Sequence, residues 1–169
     1  MNPEFSRTLP VAQIGGNEIH REIEASPEEC AAIAARLGLP ELVGFSATFR
    51  ITRQDGNAFL AHGHLHARAV RTCVVSLDDF TEPTDLDFTI RFVDREPSEE
   101  EMLEAPFDYE SGPDEVVYAD GMLDLGEAAV EEYALSLAPY PRKPGVEFKE
   151  SGEAESNPFA VLKNLSRPN

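Results

Sequence analysis

From Ala47 to Phe92 apolar and polar residues alternate along the chain, and that alternation governs what it can fold into. Ala47, Phe49 and Ile51 are separated by Thr48, Arg50 and Thr52. After Asp55-Gly56-Asn57 the pattern resumes, with Phe59, Ala61, Gly63, Leu65, Ala67 and Ala69 at every second position. A period of two sends successive side chains to opposite faces, so it belongs to half-buried strands and not to helices. The Asp-Gly-Asn turn signal between the two runs predicts a long hairpin. Leu86, Phe88, Ile90 and Phe92 predict a further strand, and Cys73-Val-Val-Ser-Leu77 reads as an apolar continuation of the hairpin. Upstream, the alternation of Phe5, Arg7, Leu9 and Val11 predicts a first strand, closed by Gly15-Gly16. Residues 19–23 allow a second, short one.

Two helices are marked by their ends. Ser26 is a natural N-cap, Pro27 suits the first helical position, and Glu29 completes a capping box. Ala31 to Leu37 fill the helix and Gly38 stops it. Asp124 with Glu127 repeats the capping pattern. Leu125, Ala129, Tyr133 and Leu137 then share one stripe, with Val130 beside it and Glu131 and Glu132 outward, before Pro139 and Pro141. The expected fold class is α+β: a largely antiparallel β-sheet with helices at 26–37 and 124–137 packed on it. Residues 1–145 are expected to form a single domain that includes a solvated acidic loop at 94–115, with ten acids. Residues 146–169 are expected to form a flexible polar tail with a short Pro-Phe-Ala segment.

A chain of 169 residues with 41% hydrophobic residues can bury a real core. It has no apolar run near the roughly 18–20 residues of a membrane helix, and its start lacks the layout of a signal peptide. Cys30 and Cys73 form no disulfide framework, which points to a reducing cytoplasm. The net charge of −18 argues against a general nucleic-acid binder. Its distribution is uneven: residues 78–132 hold 20 of the 32 acidic residues and, as bases, only Arg91 and Arg95. From Phe45 to Thr72, Arg50, Arg53, Arg68 and Arg71 face the single acid Asp55. Acidic surfaces keep proteins dispersed. They also offer a face to a basic partner, with Glu99, Glu100, Glu101 and Glu104 as partner-binding candidates. The four arginines are the RNA-contact candidates.

His62, His64 and His66 project from one strand face, where neutral imidazoles can ligate a divalent metal. Matching thiols and a His-Glu-x-x-His signature are missing, so the expectation is an exposed hairpin face with no metal. Cys73, alone, reads as a buried or half-buried structural thiol. Gly15-Gly16 lacks the Gly-Lys-Ser/Thr of a phosphate loop, and no serine sits in a nucleophile elbow. The expectation is no enzyme and no cofactor.

The chain from Asp120 to Gly145 joins an acidic lead, one amphipathic helix and a proline-rich stop, and Asn157-Pro-Phe-Ala-Val-Leu-Lys-Asn-Leu165 follows. In that order these elements resemble the bacterial YceD family, the large ribosomal RNA subunit accumulation proteins. Thr72-Cys-Val-Val-Ser-Leu-Asp-Asp-Phe80 resembles the family's central Cys-containing motif, with Ser76 where many members have a second Cys, so no zinc or redox role carries over. The resemblance spans about 45–165, and Tyr140-Pro-Arg-Lys-Pro-Gly145 is similar to an alphaproteobacterial-like branch. It implies a non-enzymatic cytoplasmic factor supporting 23S rRNA synthesis, processing or stability and large-subunit assembly. The implied partners are a basic ribosomal or assembly protein or a pre-ribosomal particle, with weak or indirect RNA contact and no membrane. Two other readings stand beside it. One is an acidic protein-binding module for a basic ribosomal protein. The other is a metal-dependent hydrolase using the His62, His64 and His66 row.

Overall fold

The computed structural model describes residues 4–55, 57–95 and 112–147. The strands are β1 (Thr8–Pro10), β2 (Ile19–Glu24), β3 (Glu41–Arg53), β4 (Phe59–Thr72), β5 (Asp79–Val93), β6 (Asp114–Val117) and β7 (Met122–Asp124). The helices are α1 (Pro27–Leu37) and α2 (Leu125–Ser136), and a single 3-10 turn spans Val11–Gln13. One sheet runs β2-β3-β4-β5-β6, antiparallel except for the parallel β5–β6 pair, and β1 pairs with β7 in a two-stranded ribbon. The fold is therefore α+β with a mostly antiparallel sheet. Among the described residues no helix is long and apolar enough to cross a membrane.

The hairpin forms in the register that the alternation requires. Gln54 N–H bonds the Ala58 carbonyl at 2.8 Å, Asn57 takes the positive φ of 60° the turn needs, and Arg53 pairs with Phe59. From that turn the register places Ala47, Phe49, Ile51, Ala61, Leu65, Ala67, Ile90 and Phe92 on one buried face. Gly63 faces the same side, and a Cβ there would overlap the Phe88 ring, which crosses the glycine to meet Phe49 edge-on at 5.6 Å. Both helices cover this face. α1 buries Cys30, Ile33 and Ala34, and α2 buries Leu125, Ala128, Ala129, Val130 and Tyr133. Phe5, Leu9 and Leu123, on or beside the ribbon, close the core.

The caps work as their sequence demands, with one exception. The Ser26 hydroxyl accepts from Glu29 N–H, the Glu29 carboxylate accepts from Ser26 N–H, and Gly38 takes φ 65° at the C-cap. The Glu29 carboxylate also pairs through both oxygens with Arg7 at 2.8 Å. Arg7, followed by the Ser26 N–H, holds its pKa down at about 2. Asp124 accepts from Gly126 and Glu127 N–H. Glu127, however, does not complete a second box: its carboxylate binds Arg36 at 2.8 Å and joins α2 to α1.

Several expectations are corrected. The first strand covers only Thr8–Pro10: Phe5 and Arg7 precede it, and Val11 already opens the 3-10 turn. Cys73 to Leu77 is a turn and not an apolar extension: Leu77 N–H bonds the Cys73 carbonyl at 2.9 Å and Leu77 takes φ 62°. β5 begins at Asp79, well before Leu86. Asp114 and Glu115, expected at the end of the acidic loop, lie in β6, while 96–111 lie outside the described residues. Leu137 is the half-buried C-cap of α2 and not a helical core position. Residues 148–169, with most of the expected tail and its Pro-Phe-Ala segment, are also outside the described residues.

The burial pattern along α2 fixes an order of mutational cost. Leu125, 1% exposed, should lose about 2–5 kcal/mol on change to Ala. Leu137→Ala should lose less, about 1–2 kcal/mol, since its side chain is only partly buried. Glu131→Ala should change little. Urea midpoints of the three variants test the order, and equal losses would refute the orientation of α2.

Candidate functional site: the open face of the sheet

The helices cover one face of the sheet and leave the other to solvent. Register builds cross-strand rows on that open face. His20, Arg50, His62 and Thr89 form one row, and Glu22, Thr48, His64 and Asp87 form the next. Glu24, Ser46, His66 and Asp85 form a third, and Arg68 stands opposite Pro83 beyond it. Between the first two rows lies an open concavity of about 950 Å³.

The three histidines share this face as the two-residue spacing requires, and each turns sideways to β5. His66 Nδ1 lies 2.8 Å from Asp85, His64 Nδ1 2.9 Å from Asp87, and His62 Nδ1 3.1 Å from the Thr89 hydroxyl. An ionised carboxylate only accepts, so Nδ1 carries the proton in the two Asp-linked rings and Nε2 is left as the second polar atom. Alternate strand residues stand roughly 6.6 Å apart, and His64 lies between Asp87 at 2.9 Å and Asp85 at 3.9 Å, the latter shared with His66. Among the described residues no group of three or more His, Cys, Asp and Glu side chains is arranged to hold a metal ion.

The four arginines do not act together. Arg50 and Arg68 are exposed on the open face among the histidines. Arg53 falls on the other side of the sheet at the hairpin end, 5.7 Å from the Phe59 ring centre. Arg71 also points to the covered side and is only 7% exposed. Its guanidinium donates to Glu82 at 3.1 Å and to the Ala138 carbonyl at 2.6 Å. This is a correction: a residue with that register, on the core side of β4, cannot serve as a free phosphate contact. Arg71 instead fastens the proline-rich stop to the sheet. Glu99, Glu100, Glu101 and Glu104 lie outside the described residues.

Sequence reasoning missed Asp85 and Asp87 as the partners of the histidines. The signal was the alternation of Asp79, Thr81, Asp85 and Asp87 with Phe80, Thr84 and Leu86, which Glu82 and Pro83 disguise.

Cys73 is buried, as expected, but its cover is polar backbone rather than the main apolar cluster. Its sulfur accepts from Val75 and Ser76 N–H, both at 3.4 Å. The Ser76 side chain above all, then the Lys143, Ser76 and Val75 backbone, lowers the thiol from its ordinary 9.0 to about 6. The same turn receives the stop segment, with Val74 N–H bonded to the Pro141 carbonyl at 3.0 Å.

The sequence model described as "Large ribosomal RNA subunit accumulation protein YceD" matches residues 61–166, well over half of the chain. The chain belongs to the YceD family. The matched region begins in β4 and takes in the histidine row, the Cys73 turn, β5 and α2. The family is named for accumulation of large-subunit ribosomal RNA, and its description states no reaction. Comparison with curated proteins and with solved structures finds no match.

Two predictions follow from these surroundings. Arg71→Met should cost about 1–3 kcal/mol, because Glu82 and the Ala138 carbonyl lose a charged donor. Arg50→Met should cost little, and denaturant titration separates them. The second concerns pH. Between about 6 and 9 the unfolded chain keeps a Cys73 proton that the folded chain has released. That contribution to stability is complete above the unfolded pKa and is lost as pH falls through about 6. The difference in stability between the native protein and Cys73→Ser should therefore grow from pH 6 to pH 9. A constant difference would mean that the folded thiol stays protonated.

Proposed function

We propose that this YceD-family chain supports accumulation of 23S rRNA and large-subunit assembly without catalysing a reaction. In this reading it works in the cytoplasm and holds a basic ribosomal or assembly protein on its acidic surface. The observation that carries the reading is the division of charge. The net charge is −18, and of the four sequence-selected arginines only Arg50 and Arg68 stand on the open sheet face. There Glu22, Glu24, Asp85 and Asp87 surround them. Phosphate backbones bind to several clustered cations, so two arginines among four carboxylates favour weak or indirect contact with RNA. A Lys- and Arg-rich protein meets the opposite field, and its approach is steered over about 8 Å at physiological salt. Glu99, Glu100, Glu101 and Glu104 add four charges to this attraction.

The expected behaviour is capture of basic ribosomal or assembly proteins from lysate at low salt, released at high salt, with poor binding to naked 23S RNA. Exchanging Glu99, Glu100, Glu101 and Glu104 for Gln should weaken the capture while leaving the thermal midpoint in place. Tight binding to naked 23S RNA, indifferent to those changes, would replace this reading with direct RNA recognition.

A further inference from the structure

β6 pairs with β5 only at Ile90–Val93, so among the described residues the side of β5 away from β4 faces no strand from Asp79 to Thr89. Two hydrogen bonds fix which backbone groups point there. Cys73 N–H reaches the Asp78 carbonyl at 2.9 Å on the β4 side, and Tyr118 N–H reaches the Val93 carbonyl at 2.9 Å on the opposite side. In an antiparallel pair the direction alternates residue by residue. Even-numbered residues of β5 therefore turn their backbone to β4. Odd-numbered residues present theirs outward: N–H and C=O at Asp79, Thr81, Asp85 and Asp87, and C=O alone at Pro83.

An edge of this kind is a template for another strand, and charge and proline are the usual means of discouraging one. Here the charge has a single sign. Asp79, Asp85 and Asp87 stand on the open face, and Asp85 and Asp87 give histidine only one carboxylate oxygen each. Phe80, Leu86 and Phe88 line the other side of the strand and are only partly covered. Where β6 begins, Asp87, Asp114 and Glu132 border a cleft of about 520 Å³. Burial there, with Asp114 and Glu131 nearby, pushes the Glu132 carboxyl up from its usual range, a cost that a cation would relieve. Like charges set opposite one another repel, so a second copy of this acidic edge is disfavoured. A strand with alternating lysines or arginines finds backbone partners, carboxylates on one face and half-covered apolar side chains on the other.

We propose that the outer edge of β5 is a docking strand for an extended basic segment of a partner protein, in which Lys or Arg alternates with apolar residues. This proposal rests on the reading of the chain as a holder of basic proteins and gives that reading a place and a mode, strand addition.

The test uses two labelled octapeptides of identical composition, four Lys and four Val, one alternating and one with the lysines in a block. Anisotropy titrations of the full chain at low salt should give about tenfold tighter binding of the alternating peptide. That factor is about 1.4 kcal/mol, of the order of one or two backbone hydrogen bonds. Thr81→Pro removes an outward donor from an exposed position and should erase the preference, with the thermal midpoint confirming the fold. A second variant, Asp85→Asn with Asp87→Asn, should weaken the alternating peptide without touching the backbone. Equal binding of both peptides, or a preference that survives Thr81→Pro in the folded protein, overturns strand addition. If basic proteins are still captured from lysate in that case, the broader reading stands without it. Failure of that capture removes the broader reading itself.

Discussion

The register of β3, β4 and β5 is the constraint on which the rest of this molecule depends. A strand slipped by one residue exchanges its two faces. Here that would put His62, His64 and His66 under the helices and bring Phe49, Phe59 and Leu65 to solvent. Two features hold the register in place. At one end is the tight turn at Asn57, and near the middle is Gly63, whose missing side chain admits the Phe88 ring. The ring can cross only at that position, so the aromatic contact with Phe49 marks the correct alignment of three strands at once. The histidine–aspartate rows on the opposite face are a product of the same alignment, although they contribute little to the core.

Among the described residues, four arginines are committed to internal ties. Arg7 binds Glu29, Arg36 bridges Glu4 and Glu127, Arg71 binds Glu82, and Arg91 binds Glu115 at 2.6 Å. Each joins parts distant in sequence: the N-terminal segment to α1, α1 to α2, the two strands flanking the Cys73 turn, and β5 to β6. Each tie also takes a base off the surface of a chain whose net charge is −18. This arrangement explains why a cluster of arginines in the sequence does not become a basic patch. Neighbours in a strand alternate between faces, and Arg71 and Arg53 fall on the opposite side from Arg50 and Arg68.

What could be read from the sequence was local, and what could not was relational. The caps at Ser26, Pro27, Glu29 and Gly38, the hairpin and the apolar stripe of α2 follow from short-range spacing. The early half of β5 was hidden because Glu82 and Pro83 interrupt an otherwise polar and apolar alternation. Both are explained by tertiary position, Glu82 as the partner of Arg71 and Pro83 in a strand edge that β6 leaves uncovered. The parallel pairing of β6 has no local signature, since its partner lies across a long stretch of chain. Glu127 looked like half of a capping box, but Arg36 offers it a charged partner and wins over a backbone N–H. For the candidate site, the shared face of the three histidines was legible from spacing. Their partners on β5 were not, because register between separate strands is set by the core and not by the residues that it brings together.

The two ends of the described fold are tied to each other. The Arg7 N–H and the Ser6 hydroxyl both reach Asp124, β1 pairs with β7, and Gly126 admits the backbone at Phe5 so closely that a Cβ would meet its carbonyl at 2.5 Å. Asp124 thus serves two masters, the cap of α2 and the first strand of the chain. During synthesis the first residues emerge long before their partners, and Phe5 and Leu9 must wait unsheltered until Leu123 and α2 have followed. Closing so long a loop carries an entropic cost that only the finished core repays. The described interior therefore cannot be completed before Leu123 and α2 have been made.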